Sequence, residues 1–298
     1  MFDSVHLGHR KIIREVVKLA RREKGKSIVI TFETHPRKIV YPQISPALIT
    51  TTEEKVRLIK KLKVNKVVII NFTSSFSKIS AEDFVTRFLV KKSRVNTIVV
   101  GKNYFFGRDR KGDINLLKDL GNKHGFNVRV IDPVKLNGIS ISSSRIRDAL
   151  KNGDIELTNK MLGRNYKIEG MVTKGSGIAR FLGFPTANIK YLNEAIPGRG
   201  VYAVKVKIRS RNYAGVCNIG FRPTFTGTHP KRDVSQNKKM IEVHIFDFKK
   251  NIYTRKIDVE FLKRIRNEIK FSSRDKLINQ IKKDIDLARD LRQLSFTK

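Results

Sequence analysis

The feature that most constrains this chain is a change of hydrophobic period near Gly163. Before it, apolar stripes of helical period alternate with short runs in which almost every residue is apolar. After it, the apolar runs are strand-like and separated by glycine, proline and polar turns. Residues 10–23 carry Ile12, Ile13, Val16, Val17, Leu19 and Ala20 as the stripe of an amphipathic helix. Residues 27–32 form a near-continuous apolar run, as a strand buried on both faces does. The alternation predicts further helices over 53–62, 80–92 and 113–124 and strands over 66–72, 97–100 and 127–131. Ser80 and Asp83 open the third helix as a capping box. Strands separated by helices imply a parallel sheet with crossover helices, whose ligands sit beyond the carboxyl ends of the strands.

Beyond Gly163 strands are predicted over 166–172, 201–208, 213–218, 240–246 and 257–261, with no helices between them. That is the pattern of an antiparallel barrel or sandwich. Residues 273–291 read as a helix with Leu277, Ile278, Ile281, Ile285, Leu287, Ala288 and Leu291 on its apolar side. The expected division lies in the helical stretch 143–162, giving domains 1–162 and 163–298 with a short linker.

With 298 residues, 40% hydrophobic and 30% charged, the chain has enough apolar material for two ordinary globular domains. No apolar run approaches the ~20 residues that span a bilayer. The first residues carry no signal-peptide pattern, and the single cysteine, Cys217, has no internal partner for a disulfide. A cytoplasmic location and no membrane partner are therefore expected. The formal net charge of +36 is large. Its cations are spread along the chain and do not interleave with aromatics, so compositional drift is preferred over a nucleic-acid surface.

Residues 175–188 hold three glycines, Gly175, Gly177 and Gly183, with Arg180 and then Pro185, Thr186, Ala187 and Asn188. Glycines let backbone N–H groups close on an anion. Thr186 and Asn188, two apart on an extended segment, point to one face and offer hard oxygens. The pattern suits a nucleotide phosphate and its magnesium. In 240–246, Ile241, Val243 and Ile245 alternate with Glu242 and His244, which share the opposite face. Upstream, His6 and His9 flank Leu7-Gly8 just ahead of a helix, where N–H groups and the helix dipole favour phosphate. Ser142, Ser143, Ser144 and Arg147 combine hydroxyls at a helix start with a guanidinium one turn on, an anion cradle.

With Phe32-Glu33-Thr34-His35-Pro36, Gly101-Lys102-Asn103-Tyr104-Phe105-Phe106-Gly107, Asn218-Ile219-Gly220-Phe221-Arg222-Pro223-Thr224-Phe225 and Glu242-Val243-His244, these elements stand in an order that resembles the prokaryotic bifunctional riboflavin kinase and FMN adenylyltransferase family, the FAD synthetases. The resemblance covers almost the whole chain. It implies an α/β nucleotidyltransferase-like parallel-sheet domain, then an antiparallel β-barrel domain with a C-terminal helix. It implies phosphorylation of riboflavin by ATP and adenylylation of FMN to FAD, with Mg2+ as cofactor and riboflavin, FMN and ATP as small-molecule partners.

By the resemblance, His6 and His9 contact the ATP phosphates in catalysis, Ser143, Ser144 and Arg147 hold the triphosphate, and His35 and Asn103 line the shared flavin site. In the second half, Lys174, Gly175, Gly177 and Arg180 bind ATP, Thr186 and Asn188 ligate magnesium, and Glu242 is the general base. Arg266 and Glu268, with Phe271, resemble the flavin-side flap. Three departures stand out. An apolar strand normally precedes Phe2-Asp3, and its absence is expected to leave two unpaired sheet edges and to impair adenylylation, or to mark a misassigned start. Ser4 replaces a turn glycine, which is a strained choice if φ is positive there. Ala179 replaces a glycine, which is tolerated if φ is negative. The alternatives are a kinase with a degenerate partner domain, a basic nucleic-acid-binding protein on an enzyme scaffold, and a nucleotidyltransferase for another acceptor. The sequence leaves the oligomeric state open.

Overall fold

The computed structural model describes residues 1–175, 177–221 and 239–295. The chain divides into two compact units, Met1–Ser143 and Ser144–Lys298. The motif residues Arg222, Pro223, Thr224 and Phe225 lie outside the described residues, as does Ser176 and the side chain of Leu291.

The first unit starts with helix α1 (Leu7–Arg22), capped by His6 and ending in Arg21 and Arg22, cations that suit the negative end of the dipole. Strand β1 (Ile28–Phe32), short helix α2 (Pro36–Val40), helix α3 (Thr52–Lys60) and strand β2 (Lys66–Ile70) follow. Next come the one-turn helix α4 (Ser74–Ser77) and α5 (Ala81–Asp83), which runs into a π-helical stretch, Phe84–Lys91. The Ser80 hydroxyl accepts the Asp83 N–H at 3.0 Å, the first half of the expected box, while the Asp83 carboxylate pairs with Arg87 at 3.0 Å. Strand β3 (Thr97–Gly101), helix α6 (Ile114–His124) and strand β4 (Asn127–Ile131) complete the alternation. A small hairpin, β5 (Lys135–Leu136) and β6 (Ile139–Ser140), turns on Asn137 and Gly138, both at positive φ. Such a pair gives the turn a twist that matches its strands.

The strands are parallel, as expected, but they do not form one sheet. Strand β1 pairs with β2, and β3 pairs with β4, as separate two-stranded sheets among the described residues. Packing joins what the ladders do not. Ile30 of β1 packs against the cluster of Val85, Leu89, Val100, Phe106, Leu117 and Phe126.

The second unit begins with helices α7 (Ser143–Asn152, its first residue belonging to the first unit) and α8 (Ile155–Leu162). The barrel strands are β7 (Tyr166–Thr173), β8 (Thr186–Tyr191), β9 (Gly200–Ile208), β10 (Arg211–Gly220), β11 (Met240–Ile245) and β12 (Lys256–Arg266). A single turn, α9 (Ile178–Phe181), sits between β7 and β8, and the long helix α10 (Arg274–Ser295) follows β12. The strands close in the order β10-β11-β8-β7-β12-β9, with every neighbouring pair antiparallel. Closure removes all edges, which settles barrel against sandwich. Ile168, Val204, Val206, Ile219, Val243 and Val259 are at most 1% exposed and belong to its core. Helix α10 docks through Ala288 and Ile285 onto Ala203, Ala214 and Phe246.

Helix α8 is tied to this barrel. Asn159 accepts the Tyr166 N–H at 2.7 Å and donates to the Phe261 carbonyl at 2.9 Å. The packing boundary therefore falls at Ser143, ahead of α7 and α8 rather than behind them.

Candidate active sites

The barrel site is a row of polar side chains across four strands. On β8 the burial alternates, with Ala187 and Ile189 inside and Thr186 and Asn188 half-buried on the other face. On β11 the same alternation puts Ile241, Val243 and Ile245 inside and leaves Glu242 and His244 half-buried. The register then aligns them. Glu242 stands opposite Asn188 on β8 and opposite Asn218 on β10, and Asn188 stands opposite Thr173 on β7. Directly paired residues have Cβ atoms ~4.5–5.5 Å apart. Thr173, Asn188, Glu242 and Asn218 therefore form one continuous line. Burial pushes the Glu242 carboxyl above its ordinary range. The buried Cys217 thiol, next in sequence to Asn218, is pushed up by burial and by the nearby Glu242.

The glycine loop closes on this line. The backbone at Gly175 lies directly against the Asn188 amide, so that a Cβ there would push Nδ2 aside. Gly177 has φ +76°, a conformation that favours glycine. Lys174 and Arg180 are exposed beside it. Ala179 sits in α9 without positive φ, so the methyl group is tolerated. His244 plays a different part from Glu242. Its Nδ1 is 2.9 Å from the Pro185 carbonyl and its ring meets Phe184 edge-on. It anchors the turn that delivers Thr186.

Arg266 and Glu268 part company. The Arg266 fork grips Asp284 of α10 through Nε and Nη2 at 2.8–3.0 Å, and Nη1 donates to the Asn267 carbonyl. Asp284 is 2% exposed, so this pair is a structural anchor. Glu268 instead lies against Gly220, whose missing Cβ would be 2.4 Å from its Oε1. That places it on the Asn218 side of the line. Arg199, which the motif reading did not single out, comes within 3.8 Å of Glu268 and lies over Phe221 at 5.1 Å. It sits in an aperiodic turn, and the preceding Pro197-Gly198 was its one visible signal.

In the first unit, His6 accepts the His9 N–H at Nδ1, at 3.2 Å, so the His6 ring proton sits on Nε2. The two rings stack with centroids 3.7 Å apart. A Cβ at position 8 would be 2.9 Å from the His6 ring, which explains the glycine between the histidines. The residue at positive φ here is Val5, at +43°, not Ser4. A β-branched side chain in that region is strained, so the concern about Ser4 moves to its neighbour. His35 caps α2 just past β1, and the exposed Asn103 follows β3. Both therefore lie beyond strand carboxyl ends. The Ser143 hydroxyl, at the end of the first unit, is 3.4 Å from that of Ser4, two residues before His6. Ser144 and Arg147 continue on α7, one helical turn apart. Lys55, also missed, is fully buried and donates to the Phe32 carbonyl at the end of β1. A lysine in a charged helix gave no sign of burial.

Among the described residues no group of three or more His, Cys, Asp or Glu side chains could hold a metal, and no helix is long and apolar enough to cross a membrane.

Residues 1–145 match the FAD synthetase family and residues 162–292 match the riboflavin kinase family. A bifunctional riboflavin kinase/FMN adenylyltransferase of Buchnera aphidicola (subsp. Schizaphis graminum) is 39% identical over 291 residues, spanning 97% of this chain and 91% of that protein. The Haemophilus influenzae protein of the same description is 37% identical over 289 residues, with the same shares. A crystal structure from Streptococcus pneumoniae, described as a macrolide-efflux protein, superposes with a TM-score of 0.84 at 32% identity, covering 97% of this chain and 91% of its own. Matched along nearly its whole length, with both halves represented and in the same order, the chain belongs to the bifunctional riboflavin kinase/FMN adenylyltransferase family.

Proposed function

We propose that the barrel half phosphorylates riboflavin with ATP and that the α/β half adenylylates the resulting FMN to FAD, in the cytoplasm. The observation that carries the kinase reading is Glu242, held between Asn188 and Asn218 with its carboxyl raised by burial. A raised carboxyl is a better base for an alcohol. Glu242 takes the proton of the riboflavin 5′-hydroxyl as its oxygen bonds to the γ-phosphorus, and ADP leaves as the bridging P–O bond breaks. Lys174, Gly175, Gly177 and Arg180 surround the triphosphate, and Glu268 stands on the flavin side. Arg266 acts through the segment it anchors.

Thr186 and Asn188 offer two neutral oxygens. Such a donor set fits Mg2+ that draws its remaining ligands from phosphate and water. Bound there, the ion would neutralise charge on the phosphates. For the adenylylation, the family resemblance assigns the ATP phosphates to His6, His9, Ser143, Ser144 and Arg147, with His35 and Asn103 toward the flavin. An FMN phosphate oxygen attacks the α-phosphorus and pyrophosphate leaves.

Incubation with riboflavin, ATP and Mg2+ is expected to yield FMN and then FAD, separated by chromatography. Folded protein that makes no FMN ends the kinase reading. The division of the parallel strands into two separate pairs favours a second reading, kinase activity alone. In that case FMN accumulates and no FAD appears.

A further inference from the structure

Strand β12 breaks register with β9 on both sides of Arg264, between Phe261 and Lys263 and again between Arg264 and Arg266. Bulges re-aim side chains. Here Leu262 and Ile265 pack with the cluster of Ala288 on α10, while Arg264 reaches the Tyr202 ring, 5.9 Å from its centroid. From there Nη1 donates to the carbonyl of Asn152, the last residue of α7, at 3.0 Å, and Nη2 donates to the carbonyl of Arg199.

Glycines make this junction possible. A Cβ at Gly153 would be 2.7 Å from the Tyr202 hydroxyl, and one at Gly198 would be 2.7 Å from the Lys151 carbonyl. The turn that carries Arg199 thus rests directly on the backbone at the end of α7. Its other carbonyls are also held. Tyr202 donates to Gly198 at 2.5 Å, and Lys239 donates to Pro197 at 2.8 Å and Ile196 at 3.2 Å. Four consecutive carbonyls, from Ile196 to Arg199, are engaged, so the turn has little freedom. It presents Arg199 to Glu268, beside the Asn218–Glu242 line.

We propose that Arg264 is a positioning residue of the kinase reaction. By clamping the Arg199 carbonyl to the end of α7, it sets the Arg199–Glu268 pair on the wall that faces the flavin. The proposal rests on the riboflavin kinase reading. Arg264 acts through Arg199, so its loss weakens riboflavin binding and leaves the chemical step intact.

The test uses the full chain as wild type, Arg264→Met, Arg264→Lys and Arg199→Ala. Riboflavin Kd is read from flavin fluorescence, and KM, kcat and Tm are measured alongside. Arg264→Met is expected to raise Kd and KM about tenfold, the size of one lost charge-assisted contact, with kcat within about twofold. Arg264→Lys keeps a cationic donor and recovers part of the loss. Arg199→Ala, at a side chain 57% exposed, raises Kd and KM in the same way with Tm unchanged. A merely structural Arg264 lowers Tm and leaves Kd and KM alone, which overturns the proposal. Wild-type Kd in Arg199→Ala overturns it as well, and that variant decides should Arg264→Met fail to fold. Wild-type protein that binds riboflavin and makes no FMN ends the kinase reading, while the Kd comparisons still decide this one.

Discussion

At the scale of single residues, Glu242 carries opposing demands. Its carboxyl is raised by burial, so between its ordinary and raised pKa the folded state binds more protons than the unfolded state. Stability therefore falls as pH rises through that window and stays lower above it. Glu242→Gln removes that penalty and, on the proposed kinase reading, the base with it. We expect kcat to drop ~10²-fold or more, while Tm at neutral pH rises. In the wild type, kcat/KM should fall as pH drops through the raised pKa, above the ordinary carboxylate range, in a pH–rate profile. Gly175→Ala tests the closed loop. Its methyl group displaces the Asn188 amide, and the Mg2+ needed for half-maximal rate should rise about tenfold if one ligand contact worth ~1.4 kcal/mol is lost. The alternation around Glu242 was legible from period alone. Arg199 was not, because no period governs a turn and its partner Glu268 is distant in sequence.

At the scale of elements, the barrel strands were legible because each buries every second residue, and the register followed once β8 and β11 were neighbours. Strand Thr186–Tyr191 was seen only as an extended motif, since Thr186, Asn188 and Lys190 dilute its apolar residues. The bulges flanking Arg264 and the split of the parallel strands have no signature in composition, because both depend on what lies alongside. Helix α10 was expected as an amphipathic stripe, and Ile285 and Ala288 of that stripe do dock on the barrel, but the charged Asp284 is buried beside them, held by Arg266 and Gln280. Asp284→Ala leaves the Arg266 guanidinium without its carboxylate. A loss of about 3–5 kcal/mol, usual for breaking a buried pair, should appear in denaturant melts.

At the scale of the whole chain, the boundary was legible to within the helices that straddle it, and packing then assigned those helices to the barrel. Residues 144–298 are expected to fold alone and form FMN. Residues 163–298 lose Ile155, Met161 and Leu162, all fully buried, at ~1.5–3 kcal/mol each. The shorter fragment should melt well below the longer one, measured side by side by circular dichroism. The chain also carries its own stopwatch. Cys217 is its single cysteine, sealed in the barrel wall beside Asn218 and Glu242 with its thiolate suppressed. Alkylation needs the thiolate, so a reagent can react only when the wall parts. The labelling rate of untouched wild-type protein thus times how often the barrel breathes, and substrates that seal it should slow that clock.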